Sequence, residues 1–196
     1  MADGADVLAS LTRREGIRYV APVPNMTGLQ RARDAGVEDI AIFAAASQTF
    51  SRKNINQTIA ESLAAYARVC EEAIGSGMRV RAYLSAAFGC PFEGAVPAGT
   101  VADIAARMID FGVYEVALSD TIGIAHPGQV PEVLAEVTRR IPLNRIALHF
   151  HDTRGTALAN VLAGLDFGVT TFDSSAGGLG GCPYAPGAAG NLATED

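Results

Sequence analysis

The sequence predicts an α/β fold, a (β/α)8 TIM barrel of which about six of the eight strands are present. Three observations predict it. Strand-like and helix-like segments alternate along all 196 residues, which argues for a parallel sheet. Most strand-like runs begin directly after a glycine that follows a helical pattern: Gly16, Gly36, Gly77, Gly112 and Gly168. Polar residues gather where strands finish: Asn25, Ser47 and Gln48, Ser85, Ser119 to Thr121, His149 to Asp152, and Asp173 to Ser175. In a barrel those ends share one rim. An open doubly wound sheet would gather them at one switch point, and no GxGxxG or Walker A pattern follows the first strands.

The elements follow in order. A helix over 5–14 precedes a strand over 17–22, and Val23-Pro24-Asn25 leads into a helix over 26–35. The next strand is 39–43. Residues 44–57, AAASQTFSRKNINQ, read as a connection, long against the ~2–6 residues usual between strand and helix. Arg52 and Lys53 within it suit an anionic thioester tail, or a plain solvated loop. Ala- and Leu-rich helical spacing over 58–74 precedes a strand over 79–85. A helix over 100–111, a strand over 114–119, a helix over 127–140, a strand over 145–151 and a helix over 156–167 come next. After a last strand over 170–173, residues 174–191 are too glycine-rich for helix or strand. Asn191 to Asp196 then reads as the start of a helix.

Composition bounds the function. With 49% hydrophobic and 18% charged residues, the chain is expected to be globular with a sizeable core. A net charge of −6 and pI near 5.0 argue against nucleic acid as a partner. No apolar run reaches the ~20 residues of a membrane span, and the first residues lack a signal peptide's pattern. Cys70, Cys90 and Cys182 fit reduced thiols better than a disulfide framework, so a cytoplasmic setting is expected. Six strands fall short of a barrel of ~250 residues, so residues 1–196 are expected to be a single domain cut short at both ends.

In RIALHFHD, residues 145–152, period-two geometry sends Ala147, His149 and His151 to the inward face, while Ile146, Leu148 and Phe150 face helices. Two imidazoles near a strand's C-terminal end can hold a divalent metal, with Asp152 to orient a ring. Hydrogen-bonded rim histidines are the alternative. In the 174–191 segment, six glycines and the stiffening Pro183 and Pro186 surround Cys182. The pattern of a mobile catalytic loop stands there against that of a linker with an incidental thiol. Gly89-Cys90-Pro91-Phe92 echoes Gly181-Cys182-Pro183-Tyr184, so two thiols compete. Cys70 reads as a small buried hydrophobe. Asp120 closes its strand as a rim acid or base, or as a cap.

Three stretches, SDTIGIAHPG (119–128), LHFHDTRGTALAN (148–160) and GLGGCPYAPGAAGNLATED (178–196), closely resemble the 3-hydroxy-3-methylglutaryl-CoA lyases. VPN (23–25), FAAASQTFSRKNIN (43–56) and GCPFEG (89–94) extend the likeness over essentially the whole chain. The resemblance implies a pyruvate-carboxyltransferase/HMG-CoA-lyase-like barrel that cleaves 3-hydroxy-3-methylglutaryl-CoA to acetyl-CoA and acetoacetate. It assigns His149, His151 and Asn191 as ligands of Mg²⁺ or Mn²⁺, Cys182 as the catalytic thiol, and Asp120 and Glu195 as acidic cleft residues. His149 also serves in proton transfer, and Cys90 becomes structural. The metal polarises the substrate's tertiary hydroxyl, a base removes its proton, and Cys182 protonates the resulting enolate. The family's Arg-Asp pair on the first barrel strand has no counterpart here, so little activity and weak metal affinity are expected of the chain alone. The resemblance also implies a homodimer for the complete protein, and a mitochondrial location if a targeting peptide precedes it. The alternatives are a Claisen-type synthase of the same superfamily, for which the thiol-bearing loop is the wrong signature, and a truncated, non-catalytic barrel.

Overall fold

The computed structural model describes residues 4–184 and 190–196. Six strands form one parallel sheet in sequence order, a half-barrel: β1 (Val20–Pro22), β2 (Asp39–Ala45), β3 (Arg79–Ser85), β4 (Glu115–Asp120), β5 (Ile146–Phe150) and β6 (Phe172–Asp173). Helices alternate with them: α1 (Gly4–Ser10), α2 (Met26–Asp34), α3 (Gln48–Ile55), α4 (Ile59–Gly75), α5 (Ala98–Asp110), α6 (Gln129–Val137) and α7 (Ala157–Phe167). The glycines at 36, 77, 112 and 168 close their helices with positive φ, as their positions predict.

Register separates two faces. Ile40 and Ile42 of β2, Val80, Ala82 and Leu84 of β3, Val116 and Leu118 of β4, and Ile146, Leu148 and Phe150 of β5 are buried in the core beneath the helices. The alternate residues face inward, and Ala41, Arg81 and Glu115 lie in one layer of the ladder, Tyr83, Ala117 and Ala147 in the next. Burial of apolar area on the helix side, at about 25 cal/mol per Å², holds the strands and leaves the inward face free for polar groups.

The structure differs from the sequence reading in particular places. Residues 48–55 of the expected loop form α3, capped by Ser47, whose side chain accepts from Phe50 N, and closed by Asn56 in the left-handed conformation. The helix hides because only Phe50 and Ser51 are buried, too few to print an apolar stripe. The first strand starts at Val20 rather than 17, and the last holds only Phe172–Asp173, each having a single neighbour to pair with. Helix α6 is shorter than 127–140, and α1 ends at Ser10. Residues 191–196 do not begin a helix: Asn191 bridges to His151 and Ala193 to Ser175, because strand backbone there offers them partners. Among the described residues, no helix is long and apolar enough to cross a membrane.

Candidate metal and thiol site

The register sets Ser119 beside His149 and His149 beside Asp173 at the C-terminal ends of β4, β5 and β6. His149 and His151 lie on the same face, as their spacing predicts, with ring centroids 5.2 Å apart. His149 Nδ1 is 3.3 Å from Asp173 Oδ2, and the Tyr83 ring meets the His149 ring edge-on at 6.1 Å. His151 is buried, and its Nδ1 has no hydrogen-bond partner. Burial, and then His149 beside it, push the His151 pKa down to about 4, so the ring is neutral, the form that ligates a metal.

Beneath the histidines lies a charged group that the sequence reading did not single out. Arg81, in mid-β3, donates from Nε to Glu115 Oε2 at 2.8 Å, and from Nη1 to Asp173 Oδ1 at 2.8 Å and to the Tyr83 hydroxyl at 2.6 Å. Burial disfavours the Arg81 charge, but Asp173, Tyr83 and Glu115 outweigh it and hold the guanidinium protonated. Burial likewise opposes ionisation of Asp173, yet His149 and Arg81 hold its carboxyl below the usual range. The available signal was RVRAY itself, where a cation occupies an inward position between apolar outward ones.

The glycine-rich segment returns to the sheet between the ends of β5 and β6. Leu192 N donates to Phe150 O at 3.1 Å and Ser175 N to Leu192 O at 3.0 Å, while Asp152 N donates to Gly190 O and Thr194 N to Ser175 O. Gly190 fits because its Cα passes the carbonyl oxygens of Gly178 and Gly180 with no room for a Cβ. This return sets Asn191 against His151. Asn191 Nδ2 donates to Leu179 O at 2.9 Å, which leaves Oδ1 buried and unpartnered.

The other candidates are more dispersed. Cys182 is a half-buried free thiol, and Tyr184, two residues on, packs edge-on against Phe50 at 5.2 Å and Phe92 at 5.3 Å. Pro186 and Gly187 lie outside the described residues. Cys90 is buried; its Sγ lies 2.9 Å from Ser47 Oγ and accepts from Phe92 N and Glu93 N at 3.4 Å. These contacts give Cys90 a turn-holding role. Asp120 is fully buried and spends both carboxylate oxygens on Ile124 N and Ala125 N. Burial raises its pKa, against the pull of those amides and of His149. Glu195 is exposed and accepts from Gly177 N at 2.8 Å. Asp152 accepts from Ala157 N at 2.9 Å at the start of α7 rather than from a histidine. Arg52 and Lys53 sit in the last turn of α3, with Lys53 over the Phe92 ring.

The structure therefore brings His149, His151, Asn191 and Asp173 together, with Asp120 one residue beyond Ser119, while Glu195 braces the base of the glycine-rich segment. No group of three or more His, Cys, Asp or Glu side chains poised for a metal occurs among the described residues. The donor set instead combines two imidazoles with an amide oxygen. The uncommitted His151 Nδ1 and Asn191 Oδ1 are buried polar groups without protein partners, and such lone pairs suit a divalent cation.

A parallel half-barrel whose polar side chains gather at the C-terminal ends of its strands defines a barrel domain of the TIM type. The HMGL-like family model matches residues 6–196, and the chain belongs to that family, whose members are metal-dependent. Hydroxymethylglutaryl-CoA lyase YngG of Bacillus subtilis is 50% identical over 196 residues, all of this chain and 66% of the relative. The solved hydroxymethylglutaryl-CoA lyase of Pseudomonas aeruginosa superposes with a TM-score of 0.97 at 46% identity, covering 100% of this chain and 65% of that one. An HMG-CoA lyase from Acinetobacter baumannii, solved with coenzyme A and 3-methylmalate, gives 0.93 at 39% identity, covering 99% and 63%. The chain thus spans just under two thirds of the length of these three relatives; other relatives it matches include a form named mitochondrial in Gallus gallus and one named cytoplasmic in Rattus norvegicus.

Proposed function

We propose that this chain carries the metal- and thiol-bearing rim of a lyase that cleaves 3-hydroxy-3-methylglutaryl-CoA to acetyl-CoA and acetoacetate. The observation that carries this reading is the pairing of Asn191 with His151, each with an uncommitted buried donor atom, beside His149. His149, His151 and Asn191 would hold Mg²⁺ or Mn²⁺, which when bound supplies positive charge against developing oxyanion character. His149 takes part in moving the proton of the substrate's tertiary hydroxyl through Nε2 when that nitrogen is not engaged by the cation. As the hydroxyl loses that proton, the C–C bond breaks to give the ketone of acetoacetate and the enolate of acetyl-CoA. Cys182 Sγ returns a proton to the enolate carbon, and the segment around it keeps bulk water out. Asp120 holds the 123–125 turn at the rim, and Glu195 holds the base of the segment at Gly177. Coenzyme A in a relative's complex supports an acyl-CoA thioester as substrate. A homodimer in the complete protein, a single barrel domain cut short at both ends, and a cytoplasmic or mitochondrial location belong to the same reading.

Acetoacetate formation with Mg²⁺ tests it, with the 196-residue chain compared against a form extended at its N-terminus. The extended form should turn over and the chain alone should be nearly inactive, since two imidazoles and an amide give a hard cation no carboxylate. Cys182→Ser in the extended form should cut turnover heavily and spare metal binding. Acyl-CoA condensation instead of cleavage would overturn the lyase reading.

A further inference from the structure

We propose that Asp173 is a positioning residue, which accepts a hydrogen bond from His149 Nδ1–H, fixes that tautomer, and leaves Nε2 as the bare nitrogen facing the cleft. This deepens the metal reading and rests on it for the use to which Nε2 is put. A carboxylate in its ionised form only accepts, so a bond between Asp173 Oδ2 and His149 Nδ1 demands the proton on Nδ1. The two residues are register partners on adjacent parallel strands, so backbone pairing sets their separation. The second oxygen of Asp173 is tied to Arg81 Nη1 at 2.8 Å, and Arg81 is tied in turn to Glu115 and to the Tyr83 hydroxyl. The Tyr83 ring then meets the imidazole edge-on. His149 is therefore held from two sides by one network spanning β3, β4 and β6, as ligating imidazoles commonly are by a carboxylate on the nitrogen away from the metal.

A purely structural ion pair predicts something different. It would knit β3 to β6 and lower stability when broken, with no effect on where the His149 proton sits. Long-range ¹H–¹⁵N spectra of the metal-free chain, with His149 assigned through His149→Gln, separate the two. Wild type should show His149 protonated on Nδ1. Asp173→Ala should lose that preference, and Asp173→Glu should restore part of it. Glu115→Gln breaks the same network away from the histidine; it should lower stability and leave the tautomer in place. Mn²⁺ binding followed by electron paramagnetic resonance should weaken about 10- to 100-fold in Asp173→Ala and little in Glu115→Gln. Protonation of wild-type His149 on Nε2 would overturn the proposal, a reading that needs no variant to fold. So would an unchanged tautomer in a folded Asp173→Ala. The Mn²⁺ measurements are made on the form extended at its N-terminus; the Nδ1–H tautomer with no Mn²⁺ binding by that extended wild type would uphold the positioning and refute the ligand assignment alone.

Discussion

Arg81→Met removes one guanidinium from the inward face of the sheet and leaves Glu115, Asp173 and the Tyr83 hydroxyl without it. The side chains of Arg81, Glu115 and Asp173 are only 9%, 14% and 18% exposed, so water replaces the lost partner poorly. At 2.8 Å and an effective dielectric of ~20, each pair has a gross attraction of roughly 6 kcal/mol. Desolvation of three charges cancels most of this in the intact network, but a variant lacking only the cation keeps the desolvated carboxylates. The expected loss is about 3–5 kcal/mol. At ~2–4 °C per kcal/mol for a chain of this size, the melting point should fall by roughly 6–20 °C. Urea unfolding followed by circular dichroism measures it directly, as a lower midpoint with the slope preserved. Adding Glu115→Gln and Asp173→Asn should restore much of the loss, since no stranded charge then remains. A loss below about 1 kcal/mol, the range of exposed pairs, would refute the view that this network is desolvated.

Tyr184→Ala should speed alkylation of Cys182 several-fold while the buried Cys90 and Cys70 stay slow, because Phe50 and Phe92 then no longer seat the segment; an unchanged rate would show that the aromatic contacts do not hold it. Burial raises Tyr66 and Cys70, both on α4, from their ordinary values of 10.0 and 9.0 to about 12. Both are neutral in the fold, so their contribution is complete below about pH 9 and is lost as the unfolded chain ionises towards pH 12. Tyr66→Phe with Cys70→Ala should flatten the alkaline fall in urea midpoint, and an equally steep fall in the double variant would refute the assignment.

The alternation of elements was legible because helix-closing glycines and strand hydrophobicity are local signals. His149 and His151 were legible for the same reason, since a spacing of two on a strand fixes a shared face. Helix α3 was not, because QTFSRKNI is polar and its caps, Ser47 and Asn56, were the only marks it left. The partnership of Arg81, Asp173 and His149 joins residues 92 and 24 positions apart, and no local pattern encodes which strands become neighbours. Asn191 looked like a helix start because its onward partners, His151 and the ends of β5 and β6, exist only after the sheet has formed.

The return of Gly190 to Thr194 between β5 and β6 has a dynamic consequence. Its amides and those it caps, Asp152 N, Leu192 N, Ser175 N and Thr194 N, form one ladder with the strand ends. Because each bond shares a residue or strand end with the next, the ladder is expected to open as a cooperative unit with the edge of the sheet, which similar hydrogen-exchange protection at the four amides would check. Asn191 thus keeps time with the strand that bears the histidines, on the slow clock of sheet opening rather than the fast one of a surface loop.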